Sequence, residues 1–506
     1  MSNLKLRAAR GSIYMTLITF GMRPFAMLLA IVLARLLTPA DFGLLALAMI
    51  VFNAANMITD VGMRPTVVQT KDDINKVAHY AFVIVMVASI IFTVVSSLLA
   101  QPLATLMGGS AELVPIIRWM SIYVTIDGLW IIPEALLRRD LRFKELGLSQ
   151  LPSELVSSIV SIVLALMGLG VWSLVIGTLA GQFLRATLLW AYYRPWIWLR
   201  PQKWEKDIVR GMFKYGLESM SSGIVRYVQT QIDTFVIGRQ LGETSVGLYN
   251  KAVTLTGRLS DMLTSTIFGN VLFPSYAKIQ DDKPRLARAY LKSTKMVFLM
   301  IVPMSVGMAI TASLLIPVLL GPQWLPMIPL WQIFSLYGLM RPIASNAAPL
   351  FQAVGEPRRN LSSGLVLMVF KVPLILLLVG PYDSLGVAVA VTIATFAGMM
   401  FNVFQVNQIL PGTAVKTFVQ SLPFMLAGGL MALGVVLIQE PIISLAGGEN
   451  ILSLSLIILV AAVIYLAAVF ILQRALVFEL YELLIKALGI DRRWPRLLPA
   501  WLNTSK

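Results

Sequence analysis

Apolar stretches of roughly twenty residues alternate with short polar breaks along almost the whole of this 506-residue chain. A helix needs about 20 consecutive apolar residues to cross a bilayer. Runs of that kind lie near 12–36, 43–63, 79–101, 113–136, 147–168, 171–193, 216–239, 246–271, 296–320, 327–353, 361–380, 384–407, 417–438 and 451–473. The pattern predicts an all-α polytopic membrane protein with about 14 transmembrane helices. No cleavable signal is expected, because Ser2 to Arg10 leads into a run too long for a signal core and no small-residue cleavage pattern closes it.

The polar breaks carry a repeat. Val32, Arg35, Leu37, Gly43, Leu44 and Ala48 recur as Val236, Arg239, Leu241, Gly247, Leu248 and Ala252, each pair offset by 204 residues. An offset of that size exceeds any solenoid period and fits duplication of half a molecule. It predicts two parallel six-helix lobes, 1–200 and 201–410, around a central cavity, followed by two additional transmembrane helices in 411–473. Residues 474–506 form a cytoplasmic tail in which Leu476, Val477, Leu480, Leu483, Leu484 and Ala487 oppose Glu479, Glu482 and Lys486, the pattern of an amphipathic surface helix. Between the lobes, Arg194 to Lys214 interleaves Trp196, Trp198 and Trp204 with cations and reads as an interfacial tether.

Composition agrees with the pattern: 58% of residues are hydrophobic and 13% charged, against about 25% charged in soluble domains. There is no cysteine and a single histidine, His79, so thiolate chemistry is excluded and no metal or other cofactor is expected. His79 falls where the third span meets the inner surface, as an interfacial residue or a protonation site. The net charge of +16 follows topology: alternate loops and the tail hold 31 of the 41 basic residues. That asymmetry places both termini in the cytoplasm and leaves no reason to invoke nucleic acid.

Seven cations fall inside spans: Arg23, Arg185, Arg226, Lys251, Arg258, Arg341 and Lys371. Facing lipid, each would cost about 2.5–3.5 kcal/mol at a helix centre. Arg185 is close enough to an inner helix end to snorkel. Most of the others lie on polar stripes at helical spacing: Ser12, Thr16, Thr19 and Arg23; Ser222, Arg226, Gln229 and Asp233; Lys251, Thr254, Arg258, Asp261 and Ser265; Gln332, Ser335, Arg341 and Ser345. A further stripe joins Asn53, Asn56 and Asp60, whereas Lys371 has none around it. The intramembrane acids are Asp60, Asp127, Glu134, Asp233 and Asp261. Two readings stand: the charges pair with one another and join helices, or the excess of cations lines a wet cleft for an anionic guest such as a phosphate or a uronate.

Specific strings carry a family resemblance. Ala34-Arg35-Leu36-Leu37-Thr38-Pro39-Ala40-Asp41-Phe42-Gly43, then Asp60-Val61-Gly62 and Val67-Val68-Gln69, resemble the opening of bacterial polysaccharide exporters of the Wzx type, within the multidrug/oligosaccharidyl-lipid/polysaccharide flippase superfamily. Leu137 to Phe143, Gly247-Leu248-Tyr249, Val271 to Pro274 and Leu320-Gly321-Pro322-Gln323-Trp324-Leu325-Pro326 are similar strings, and the branch of colanic acid and teichuronic acid exporters matches best. The resemblance implies alternating access and transfer of an undecaprenyl-pyrophosphate-linked oligosaccharide across the cytoplasmic membrane. It implies substrate-binding cations at Arg23, Arg226, Arg258 and Arg341. Lys251 and Lys371 join them as candidates, and Asp60 and Asp233 are candidates for ion coupling. Glu356 stands where the family often has a cation, with Arg358 and Arg359 directly after it.

Three other functions are weighed. A membrane polymerase or glycosyltransferase needs a large outer loop or paired catalytic groups, neither of which the sequence offers. A cation-coupled multidrug exporter of the same superfamily would favour acids in its cavity. A scaffold for an assembly complex would tolerate loss of the cavity charges. The expectation is therefore a transporter and not an enzyme. Its candidate partners are the lipid-linked oligosaccharide, membrane lipid, a proton or sodium counter-ion, and a polysaccharide polymerase with its assembly proteins.

Overall fold

The computed structural model describes residues 25–60, 62–70, 72–193, 198–267 and 272–479, with backbone alone at 214–215, 217–222, 225–226 and 258–267. All regular structure among the described residues is helical. The chain begins with α1 (Phe25–Leu36). It continues through α2 (Pro39–Asp60), α3 (Met63–Gln69), α4 (Ile74–Leu98), α5 (Ala100–Leu106), α6 (Leu113–Arg139), α7 (Phe143–Leu166), α8 (Val171–Tyr192) and α9 (Lys206–Ile267). Then follow α10 (Phe273–Ala277), α11 (Lys283–Ile310), α12 (Ala312–Leu319), a 3-10 turn (Pro322–Met327), α13 (Ile328–Ser345), α14 (Ala347–Ala353), α15 (Arg358–Ile409), α16 (Thr413–Leu445) and α17 (Ile451–Leu472).

Nine stretches among the described residues are long and apolar enough to cross a membrane. Two of the long helices each hold a pair of the expected spans. In α9 the break is Gly242 (φ 78°, ψ 179°), and in α15 it is Asp383 (φ 52°, ψ −142°), which a short polar side chain tolerates better than a branched one. Helix starts follow local chemistry. Asp73 and Asp282 accept backbone N–H groups of the first turns of α4 and α11, and Asn450 with Ser453 forms a capping box on α17. The amphipathic tail helix expected from Arg474 to Leu488 lies mostly outside the described residues.

The described chain divides into two compact units. Unit 1 comprises Met1–Ala252, Leu319–Leu330 and Val372–Ala390; unit 2 comprises Val253–Val318, Trp331–Lys371 and Val391–Lys506. In unit 1, α7 packs on α8 and α4 on α6; in unit 2, α16 packs on α11 and α17. The connector before α9 corrects the picture of a surface tether. Trp198 is buried, edge-on to Phe82 and Trp190, inside a core with Val77, Ala81, Ile131 and Leu136. Trp204 stacks on Tyr80 at 4.9 Å, Tyr80 donates to the Lys203 carbonyl, and Lys76 pairs with Glu205. Trp198 serves as a packing group here, because a ring gains more from burial in a core than at a wet surface, whereas Trp204 remains half exposed and Trp196 lies outside the described residues.

Candidate functional site

The two copies of the repeat meet in unit 1. Pro39 and Gly43 on α2 precede Glu243 and Gly247 on α9 by 204 residues. A Cβ added at Gly43 would lie 1.8 Å from the Glu243 carbonyl oxygen, and one added at Gly247 would lie 1.8 Å from that of Pro39. The crossing is thus reciprocal, with each backbone filling the space the other glycine leaves. The repeated arginines behave alike. Arg35 Nε donates to the carbonyl of Leu319 at the end of α12 (2.9 Å), and Arg239 Nη1 to that of Thr105 in the last turn of α5 (2.8 Å). Cations suit these helix ends, where the last carbonyls lack an i+4 donor within the helix and the dipole is negative.

One turn beyond Gly247, the Lys251 ammonium lies 3.8 Å from the centre of the Phe42 ring and 5.5 Å from that of Trp324. Cations over ring faces are attracted by the ring quadrupole. Trp324 is buried, and its indole N–H donates to the Ala34 carbonyl at the end of α1 (2.7 Å), where the Gln323 amide also donates (3.0 Å). The Gly321-Pro322-Gln323-Trp324 string is therefore an anchor for the α1–α2 turn.

A second polar constellation occupies α3, α6 and α8. On α6, Tyr123, Asp127, Trp130, Glu134 and Arg138 follow at steps of four, three, four and four and share one face. Asp127 and Glu134 are each 2% exposed. Arg64, in the first turn of α3, donates its N–H to Asp60 and directs its guanidinium to Asp60 (3.5 Å), Asp127 (3.6 Å) and Glu134 (3.8 Å). Arg138 binds Glu134 Oε1 through Nε (3.0 Å) and Nη2 (2.6 Å), and Arg185 reaches the same carboxylate at 3.6 Å. Trp130 has Arg185 at 3.9 Å and Arg64 at 5.1 Å from its ring centre. Most of these ionic contacts exceed hydrogen-bond length, and Asp127 Oδ2, Glu134 Oε2, Arg64 Nε and Arg185 Nε make no hydrogen bond. Such a loosely paired set can exchange partners.

The expected site residues fare unevenly. Asp60 joins the Arg64 cluster. Asp233 accepts from Tyr249 Oη (2.8 Å). Lys251 sits in the aromatic box. In unit 2, Arg341 accepts Ser345 Oγ at its carbonyl and brings its guanidinium beside Gly257, and Lys371 is buried. Arg23 and the side chains of Arg226 and Arg258 lie outside the described residues. Arg185 is corrected from a snorkelling residue to a stacked and paired one, since Trp130 and Glu134 lie within its reach. Arg64, which the sequence pattern does not single out, is a hub of this cluster; the stripe of Asp127, Glu134 and Arg138 marks a polar face of α6 but does not name Arg64 as its partner.

The helical architecture with internal charges is that of a multi-pass membrane protein. Its fold matches the lipid II flippase MurJ in an inward closed conformation, with a TM-score of 0.74, 16% identity, and coverage of 92% of this chain and 100% of that one. Residues 32–329 match the polysaccharide biosynthesis protein family, and the chain belongs to that family. It is 27% identical to the succinoglycan biosynthesis transport protein ExoT of Rhizobium meliloti (strain 1021) over 328 residues, which is 64% of this chain and 65% of ExoT. It is 23% identical to the lipopolysaccharide biosynthesis protein WzxC of Escherichia coli (strain K12) over 415 residues, 80% of this chain and 83% of WzxC.

Proposed function

We propose that the chain flips an undecaprenyl-pyrophosphate-linked, acidic oligosaccharide from the inner to the outer leaflet of the bacterial cytoplasmic membrane, by alternating access, in the synthesis of an exopolysaccharide or related surface glycan. The observation that carries this reading is a set of cations inside apolar helices in a member of this family. Lys251, Arg341 and Lys371 are described members of the set, and Arg23, Arg226 and Arg258 extend it by sequence. An oligosaccharide cannot enter hydrocarbon unaided, whereas polar helix faces can shield it and Arg forks can hold its phosphates. ExoT is named as a transport protein of succinoglycan biosynthesis and MurJ as a lipid II flippase, which supports the reading.

Segments 1–200 and 201–410 act as the lobes, with 411–473 as added helices and both termini cytoplasmic. Asp60 and Asp233 are the carboxylates proposed for coupling to a proton or sodium ion, since each is held by a neighbour, Arg64 or Tyr249, that an incoming cation would compete with. A polymerase of the same pathway would receive the product.

The test uses inverted membrane vesicles and a fluorescent lipid-linked oligosaccharide. Arg226→Ala and Arg258→Ala, both inserted and folded, are expected to lose transfer. Transfer at the normal rate would overturn the cationic mechanism.

A further inference from the structure

An apolar cleft of about 400 Å³ opens in unit 1 where α2, α4, α5 and α9 approach one another. Its wall includes Val51, Phe92, Leu103, Met107 and Phe235. Three lining side chains are polar: Ser96, Tyr227 and Gln231. Two of these direct their hydroxyls to backbone carbonyls, Ser96 to Thr93 and Tyr227 to Ile50 (2.6 Å). The wall therefore suits an apolar guest and gives a sugar little to bind.

The cleft is continuous with an exposed apolar strip of α4. Val95 and Leu99 line it while remaining 45% and 48% exposed, in a strip with Ile91, Val94 and Leu98. On both helices of the repeat it also lies beside a polar face. On α2, Ile50, Val51 and Ala54 line the cleft while Asn53, Asn56 and Asp60 form the stripe about a third of a turn away. On α9, Tyr227, Val228, Gln231, Ile232 and Phe235 line it while Gln229 and Asp233 lie on the polar side. Apolar and polar surfaces thus adjoin along the same two helices. An amphiphile with a large polar head and a bulky branched chain matches that division. At about 30 Å³ per water-sized group, the volume takes on the order of a dozen carbons, two or three five-carbon units of a polyprenyl chain.

We propose that this cleft is a binding site for the polyprenyl chain of the transported lipid, holding the units next to the phosphates while the rest of the chain stays in the bilayer. The proposal rests on the flippase reading and adds the place where the tail leaves the protein.

The test is photolabelling of the full chain in vesicles of phosphatidylethanolamine and phosphatidylglycerol. The probe is undecaprenyl phosphate with a diazirine near the phosphate, which lacks the glycan. Label is expected on the peptides holding Phe92 to Leu103 and Tyr227 to Phe235, and it should saturate. Ala54→Phe, which fills the cleft, and Val95→Trp, which narrows its exposed mouth, should each weaken labelling roughly tenfold, about 1.4 kcal/mol. Saturable label confined to α16 and α17 would overturn the proposal. So would equal labelling by a diazirine phosphatidylethanolamine, which would mean ordinary lipid fills the cleft. Transfer of the lipid-linked oligosaccharide is scored in parallel. Transfer without cleft labelling sinks this inference alone, whereas cleft labelling without transfer sinks the flippase reading.

Discussion

Replacing Gly43 by alanine tests the reciprocal crossing of the repeat. The new methyl carbon would lie 1.8 Å from a backbone oxygen of Glu243, 2.6 Å from its carbonyl carbon and 3.1 Å from its Cα. An ordinary contact needs about 3.5 Å, so α2 and α9 must part by roughly 1.5 Å. The obstructing atoms are backbone and cannot move aside by changing a rotamer. Overpacking of this kind costs about 1–3 kcal/mol, against a gain of about 1 kcal/mol from removing a glycine inside a helix. The same arithmetic applies to Gly247→Ala. Two controls separate the terms. An added Cβ at Gly211 meets nothing within 4 Å, and one at Gly223 makes only an ordinary 3.5 Å contact with Met57 Sδ. Thermal denaturation of the purified protein in detergent should therefore show Gly43→Ala and Gly247→Ala less stable than the parent, and Gly211→Ala equal or more stable. If all four variants melt with the parent, the close crossing is wrong.

Three more outcomes are expected. Glu134→Gln should cost about 3 kcal/mol, because Arg138, with Nη2 2.6 Å from Glu134 Oε1, loses a buried carboxylate; Asp127→Asn should cost less, because its ionic contact to Arg64 is 3.6 Å long, beyond hydrogen-bond reach. Denaturation curves giving the reverse order would discredit the assigned hub. Trp198→Ala should destabilise unit 1 by about 3–5 kcal/mol and expose the connector before α9 to trypsin at Lys203, the bond after Arg200 being blocked by Pro201; an unchanged cleavage rate would refute its docking. Because the chain has no cysteine, Phe42→Cys with Trp324→Cys can be bridged by a short bis-thiosulfonate reagent, the two rings being 5.5 Å apart. If alternation requires these groups to separate, bridging should stop transfer and reduction should restore it, and full activity in the bridged protein would rule that motion out.

Much of this molecule is decided one residue at a time. Hydrocarbon demands that every spanning segment satisfy its own backbone, so length and apolarity alone predict helices, and a 204-residue offset survives as duplicated strings. The breaks at Gly242 and Asp383 fall between expected spans for the same local reason. Partnership is different. Nothing in a one-dimensional stripe says that Arg64 on α3 would reach three carboxylates, two of them on α6, or that Arg185 would stack on Trp130 instead of extending to water. The connector tryptophans have the composition of an interface, yet Trp198 is buried because a core lies within its reach. The sequence by itself determined the class of protein, its helices and the existence of a repeat. Only the tertiary structure decided that Gly43 and Gly247 face each other's backbones and where the apolar cleft opens, because helix packing depends on which faces meet, and that follows from the sum of many weak contacts between distant segments.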